Sequence, residues 1–418
     1  MKPIRDLKKS KLKNVLFVMA YIMCFALICF ISFHRVDFFR ENIETFDTAR
    51  GYLLVLSFTI ISAIYYFYFK SASEINEKIL FTLAILIGLA CFVSPPFSSV
   101  DLPSYLLAAK NLYVGHLSPY TSSFVANKDT VWLNQIGHIW WLDYPTPYGP
   151  LFTLISGIPL IFTDNLLVAL YIFKLLALIS YITVVYLIYK RLPADQSTAK
   201  RLALLFVLNP AILVHIVLEG HNDIFVILLF LIAYLLFLQK KNLAGIFGLI
   251  GSALIKFNTL ALLPVFWFEK ERLSVKKIVL SVSVAAGFLL MFIFCFGIFR
   301  DQSFLKLPKI ISEGCLYRCD PYHTLIHFIP SKLQSSIGYL ISIALYGIVC
   351  YRYLFNQFSF LKFSFWASFI FIYILASWNA PWYATLLITI GILINETKYF
   401  YLVCLLTAYS LLHIYLPF

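Results

Sequence analysis

The sequence predicts an all-α, polytopic integral membrane protein: a bundle of about 11–13 transmembrane helices with two large outer loops and no separate soluble domain. Three observations lead there. Hydrophobic residues make up 61% of the 418-residue chain and charged residues only 13%, about half the share of roughly 25% that a soluble domain carries. Apolar runs approaching the roughly 20 residues needed to cross a bilayer recur along the whole length. Those runs are continuous, whereas the strands of a membrane β-barrel alternate over about 10 residues. The chain 1–418 therefore reads as one membrane-embedded domain.

Taken in order, the first residues carry Lys2, Arg5, Lys8, Lys9, Lys11 and Lys13, which places the N-terminus in the cytoplasm. The run that follows is span-length and lacks a small-residue cleavage site, so it reads as a span and not as a cleaved leader. Spans over 15–33, 51–69 and 79–95 put residues 34–50 outside, 70–78 inside, and the long interruption 94–165 outside. That interruption opens with Pro95 and Pro96, reaches Asp101 just past a helix end, continues in a short amphipathic pattern, and closes Tyr144-Pro145-Thr146-Pro147-Tyr148-Gly149-Pro150. The apolar piece Tyr148 to Thr163 is short and holds Gly149, Pro150, Gly157 and Pro159; it predicts a helix lying at or dipping into the outer surface.

Span 166–189 then runs inward to Lys190 and Arg191, span 202–218 runs outward to Glu219-Gly220-His221-Asn222-Asp223, and span 224–238 returns to Lys240 and Lys241. The stretch 243–268 carries Lys256 at its middle and has cytoplasmic charge at both ends, so it reads as a hairpin of two short helices with Lys256 near the tip. Span 278–299 leads to the second outer loop, 300–332, and spans 333–351, 363–378, 382–395 and 399–416 complete the chain with its end outside. In this arrangement Lys and Arg favour the cytoplasmic side about two to one.

The same arrangement accounts for the net charge of +13 without a nucleic acid partner, because basic residues collect in cytoplasmic loops. Cys24, Cys29, Cys91, Cys295, Cys350 and Cys404 fall inside spans and read as small apolar residues. Cys315 and Cys319 share the second outer loop; a small disulfide ring and unpaired thiols both remain open, and His323 and His327 nearby make only a weak zinc pattern. No Gly-rich phosphate cradle and no nucleotide-binding unit is present, so a cytoplasmic nucleotide sugar is not the expected donor.

Two readings of Asp101 are open from the residues alone. It suits a helix N-cap, with Pro103 after it, and it suits a catalytic carboxylate at a membrane surface. Asp101, Tyr105, Ala108, Ala109, Gly115, Pro119 and Tyr120 form a spaced set. With Tyr144 to Pro150, Glu219 to Asp223 and Pro381-Trp382-Tyr383, this set resembles the GT-C superfamily of membrane glycosyltransferases, and within it the prokaryotic mannosyltransferases that use polyprenyl-phosphate mannose. Outside these four stretches the likeness is one of topology. Asp101 follows two more spans than the single one of the commonest layout.

The resemblance implies an inverting glycosyltransferase that moves a hexose, mannose by family, from a polyprenyl-phosphate donor to a lipid or glycan acceptor on the outer face. Asp101 would take the proton from the acceptor hydroxyl, and a single base opposite the leaving phosphate gives inversion without a carboxylate nucleophile. Tyr105, Tyr144, Tyr148, Glu219, His221, Asn222, Asp223 and Trp382 would bind substrate, with Asp223 or Glu219 as reserve base. Asn222 and Asp223 also suit a helix cap, and Trp382, like Trp140 and Trp141, an interfacial belt. Lys256, Arg318 and Lys174 would hold the lipid phosphate, although a lysine in an apolar run also snorkels to the surface. The resemblance implies no cofactor and no metal, while the His, Asp and Glu residue types present are ones a divalent ion would use. The rival class is a transporter or lipid flippase without chemistry, for which internal repeats and helices broken at midplane are the usual signs.

Overall fold

The computed structural model describes residues 4–33, 48–71, 77–97, 99, 101–120, 122–126, 129–136, 140–143, 145–267, 279, 282, 286, 331–375 and 380–413. Nearly all of the predicted span 278–299 and of the predicted second outer loop 300–332, with Arg318, Cys315 and Cys319, lies outside the described residues, as does Tyr144. Among the described residues the protein is helical throughout, with no strand.

Three helices, α1 (Ile4–Phe33), α2 (Thr48–Ser71) and α3 (Glu77–Val93), lead to α4 (Asp101–Tyr113), which begins on Asp101 itself. A short helix α5 (Thr130–Ile136) and a 3-10 turn Trp140–Asp143 precede α6 (Pro150–Gly157), which tightens into a 3-10 turn over Ile158–Ile161. The central helix is α7 (Leu166–Arg191). Asn165 caps its start by accepting from the Val168 N–H, and Lys190 and Arg191 sit in its last turn, where the helix dipole favours cations. Helix α7 packs against α3, α4, α8 (Gln196–Val207) and α9 (Asp223–Leu238). Helix α9 pairs closely with α10 (Asn242–Ala253), and beyond it come a 3-10 stretch Phe257–Trp267, α11 (Ser331–Leu354), α12 (Phe360–Ile370), α13 (Ala384–Ile394) and α14 (Thr397–Leu412).

By length and composition, one helix among the described residues, Leu166–Arg191, is long and apolar enough to cross a membrane, and Gln196–Val207 with Ile212–Leu218 passes the same test as a bent pair. The other apolar helical stretches among the described residues are 10–17 residues long, among them Met19–Phe33 in α1, Gly51–Phe67 in α2 and Gly338–Leu354 in α11.

Two findings differ from the sequence reading. The stretch 202–218 is not one straight span: α8 stops at Val207, and a π-helical segment Ile212–Leu218 leaves it at 66°. Pro210 supplies no backbone N–H to continue the helix, and the Asn209 side chain accepts from the N–H groups of Ala211 and Ile212, each at 3.1 Å, starting the second segment afresh. The other face of the Asn209 amide donates to Thr407 Oγ1 on α14 (2.8 Å), which fixes the bend against the bundle. Helix α4 is also not a surface amphipathic piece, for Leu102 through Asn111 are all buried. It runs inside the protein between α6 and α7, so the residue at its N-terminus faces the interior.

The predicted break near Lys256 is present, between α10 and the 3-10 stretch. It is stitched to the Tyr148-Gly149-Pro150 turn by two backbone bonds, Gly149 N–H to Ile255 O (2.9 Å) and Leu151 N–H to Leu254 O (3.0 Å). A Cβ on Gly149 would lie 2.1 Å from the Leu254 carbonyl oxygen, a backbone atom that cannot swing aside. Gly149→Ala is therefore expected to part the two segments and to cost about 1–3 kcal/mol as an overpacked site. A thermal melt of the variant in lipid nanodiscs checks this; an unchanged midpoint would contradict the close approach.

Candidate active site

The bend after α8 carries the 219–223 turn to the start of α4. Gly220 makes the turn with φ +73°, a left-handed conformation that favours glycine, and a Cβ there would press on Leu102 at 3.1 Å. Three side chains from three separate segments then converge on one carboxylate oxygen. Asp101 Oδ2 accepts from the Tyr148 hydroxyl (3.3 Å) and the Tyr105 hydroxyl (3.4 Å), and stands 3.6 Å from His221 Nδ1. The Tyr105 hydroxyl also lies 3.2 Å from His221 Nδ1.

The Asp101 carboxyl does not cap its helix. The Asp101 N–H donates to Ser99 Oγ (3.1 Å), and the carboxylate turns inward to the two tyrosines and the histidine. Its walls are aromatic: Tyr105 meets Tyr148 edge-on at 5.0 Å and Phe152 at 4.7 Å, with Phe173 and Phe225 behind. Burial in these surroundings penalises the charged form. It raises the Asp101 carboxyl from its ordinary 3.8 to about 6, against the partial opposition of the Lys256 charge and the two tyrosine hydroxyls. The Asp101 side chain is still 15% exposed, so a reactant can reach it. Burial holds His221 neutral, its pKa well below the ordinary value, with the Lys256 charge adding to the effect. The Asp101–His221 contact is thus a polar contact of a carboxylate with a neutral ring.

Around this centre the remaining predicted residues take separate stations. Trp382 stacks on His221 at 4.0 Å and 13°. Lys256 Nζ donates to both oxygens of buried Asp223, each at 2.9 Å, and sits 3.6 Å over the Tyr383 ring. Glu219 meets backbone: its two oxygens accept from the N–H groups of Phe97 (3.0 Å) and Ser99 (3.2 Å). Lys174 is buried and donates to the carbonyl oxygens of Cys91 (3.0 Å) and Ser94 at the end of α3. The geometry thus gathers Asp101, Tyr105, Tyr148, His221 and Trp382, sets Lys256 and Asp223 beside them as a pair, and ties Lys174 and Glu219 to backbone.

Several buried polar atoms here lack a protein partner: both ends of the Asn222 amide, His221 Nε2 and Trp382 Nε1; both ends of the Asn258 amide, next in chain but one to Lys256, lack one too. A buried polar group without a partner costs about 1–3 kcal/mol and points to something the site receives. Asn258, two residues past Lys256, and His215, whose ring stands 6.2 Å from His221, were not picked out from the sequence. Each sits in an apolar run with no pattern around it; only its cost inside such a run signals it. Among the described residues no group of three or more His, Cys, Asp or Glu is placed to hold a metal ion.

Comparison with known proteins covers this same region. Residues 40–269 match the family described as alpha-(1->6)-mannopyranosyltransferase, N-terminal domain. Alpha-(1->6)-mannopyranosyltransferase A of Mycobacterium tuberculosis is 27% identical over 233 residues, 54% of this chain and 45% of that protein. The protein of the same name from Corynebacterium glutamicum is 29% identical over 175 residues, 41% of this chain and 35% of that protein. The chain thus spans less than half the length of these relatives. No solved structure matches it.

Proposed function

From the premise that the chain belongs to the alpha-(1->6)-mannopyranosyltransferase family, we propose that it is an inverting, membrane-embedded mannosyltransferase. It moves a mannosyl unit from a polyprenyl-phosphate donor to a lipid or glycan acceptor on the outer face of the cell membrane. The matched residues 40–269 include Asp101, Tyr105, Tyr148, the 219–223 turn and Lys256. Trp382 comes from the later helices.

The observation that carries the reading is the single carboxylate of Asp101, partly open and held by Tyr105, Tyr148 and His221. Transfer to a hydroxyl needs one base within hydrogen-bond reach of that hydroxyl. A carboxyl that loses its proton near pH 6 is ionised in neutral solution and still basic enough to accept a proton in the transition state. The bond from the acceptor oxygen to the anomeric carbon forms as the bond to the phosphate oxygen breaks on the opposite face. The acceptor proton goes to Asp101, and the phosphate leaves as the polyprenyl phosphate anion. The neutral His221 ring, stacked on Trp382, and the unpartnered amides of Asn222 and Asn258 offer donors and acceptors for sugar hydroxyls. Lys256 is the nearby cation for the phosphate.

A multi-pass membrane setting with a cytoplasmic N-terminus and an outward-facing site belongs to the same proposal. Large apolar side chains lie exposed along the helices, among them Met23, Tyr52, Leu86, Ile179, Leu340, Ile343 and Leu405, a surface that water does not tolerate over such an extent and lipid does. Purified protein in lipid nanodiscs, given labelled polyprenyl-phosphate mannose and a membrane lipid extract, is expected to yield a labelled mannosylated product and free polyprenyl phosphate. Absence of product with this donor, where a nucleotide sugar gave product, would overturn the donor assignment.

A further inference from the structure

We propose that Glu219 is a positioning residue for Asp101: together with Lys174 it fixes the strap between α3 and α4 that sets the carboxylate in its cage. This rests on the reading of Asp101 as the base. Both the carbonyls and the amides of the strap are held. On the carbonyl side, Lys174 Nζ takes the oxygens of Cys91 and Ser94, and Ser32 Oγ donates to the oxygen of Pro95. On the amide side, one Glu219 oxygen takes the Phe97 N–H and the other the Ser99 N–H. Ser99 then passes the constraint on, its hydroxyl accepting the Asp101 N–H at 3.1 Å.

Pro95 and Pro96 open this strap and bring no N–H of their own, so it cannot close a helical turn on itself and needs side chains to hold its shape. Glu219 is 1% exposed and Lys174 1%, so both work where water does not compete. Glu219 is itself fixed, because its own N–H donates to Val214 O (2.9 Å) at the end of the π-helical segment and the left-handed Gly220 follows it. A glutamate whose two oxygens each hold a strap amide is engaged with the backbone beside Asp101. Its carboxylate is better matched to fixing backbone, since a charge-assisted bond to N–H is about twice as strong as a neutral one.

The test is the pH–rate profile of Glu219→Gln with saturating and limiting donor. The amide keeps the size of the side chain but turns one acceptor into a donor facing an N–H. The strap loosens, and Asp101 shifts within its cage. The groups that face Asp101 from the packed elements are Tyr105 on α4, Tyr148 before α6, His221 in the 219–223 turn, Asp223 on α9 and Lys256 after α10. Of these, only the fit of Asp101 against them changes. The expected result is a kcat lower by about 10–100-fold, as a displacement near 1 Å produces, with donor KM little changed. The acid limb should move from about 6 toward the ordinary carboxylate range, because water enters where burial had raised it. Ser99→Ala removes the next link and is expected to move the limb the same way by less; it decides the matter if Glu219→Gln fails to fold. A raised donor KM with the limb in place would make Glu219 a substrate ligand. Loss of activity at every pH would make it the base, and an unchanged profile would give it no role in positioning; each overturns the proposal. Failure of the underlying reading shows separately, as an Asp101→Asn enzyme that keeps its activity and its acid limb.

Discussion

Asp101→Asn is expected to lower the transfer rate by about 10²–10⁴-fold, the range a positioned general base contributes, while making the folded protein more stable at neutral pH. The two effects have one cause. The carboxyl ionises near 6 in the folded protein and near 3.8 when unfolded, so the folded state binds its proton more tightly. Keeping the carboxylate charged in the cage therefore costs stability above pH 6, on the order of 3 kcal/mol at 1.36 kcal/mol per pH unit. That cost fades as pH falls from about 6 to about 4, and below both values it is gone. Asn has nearly the same shape, keeps an oxygen for the Tyr105 and Tyr148 hydroxyls and carries no charge. Its melting temperature should exceed that of the parent at pH 7–8 and converge with it near pH 4. Activity of the parent should rise with pH through an acid limb near 6. A variant that lost activity and stability together at pH 8 would mean that Asp101 is a structural residue. A variant that stayed active would return the base to Asp223.

The residue types of this site were readable in the sequence because apolar runs make polar residues conspicuous. Lys256 interrupts an apolar run, the 219–223 turn parts two of them and Asp101 stands just past another, while Trp382 stands out only through its Pro381-Trp382-Tyr383 pattern. Their division of labour was not readable, because it depends on which neighbour each side chain finds. Glu219 and Asp223 are four residues apart in one turn, yet one holds the amides of Phe97 and Ser99 and the other the ammonium of Lys256. Lys174 and Lys256 look alike in sequence; the first meets carbonyls and the second a carboxylate. The helices themselves were legible from length and hydropathy, with α7 matching its predicted range closely. The bend at Asn209-Pro210 was hidden, because an Asn-Pro pair inside an otherwise apolar run changes mean hydropathy little. Yet that bend decides whether the 219–223 turn reaches Asp101 at all.

Lys256→Met is expected to destabilise the protein by about 3–5 kcal/mol, the usual consequence of removing one partner of a buried ion pair. Asp223 is fully buried, and without the ammonium that contacts both of its oxygens it would hold an uncompensated charge, with Asp101 nearby to repel it. The Tyr383 ring under Nζ would also lose its cation. Replacing both partners, Lys256→Met with Asp223→Leu, removes the charge along with its counter-charge, and a buried pair exchanged for apolar side chains of similar size is often neutral in stability. The double variant should therefore recover most of the midpoint that the single variant loses in a thermal or denaturant melt. Its activity then separates the two duties proposed for the lysine. If Lys256 also receives the donor phosphate, leaving Asp223 for it when the lipid binds, the double variant stays folded but keeps a raised donor KM. The rise should be about 10–100-fold, since a hydrogen bond to a charged group contributes about 1.5–3 kcal/mol. If stability and donor affinity return together, Lys256 serves only to neutralise Asp223, and the phosphate must be met by another cation. Arg318 would then be the next residue to replace.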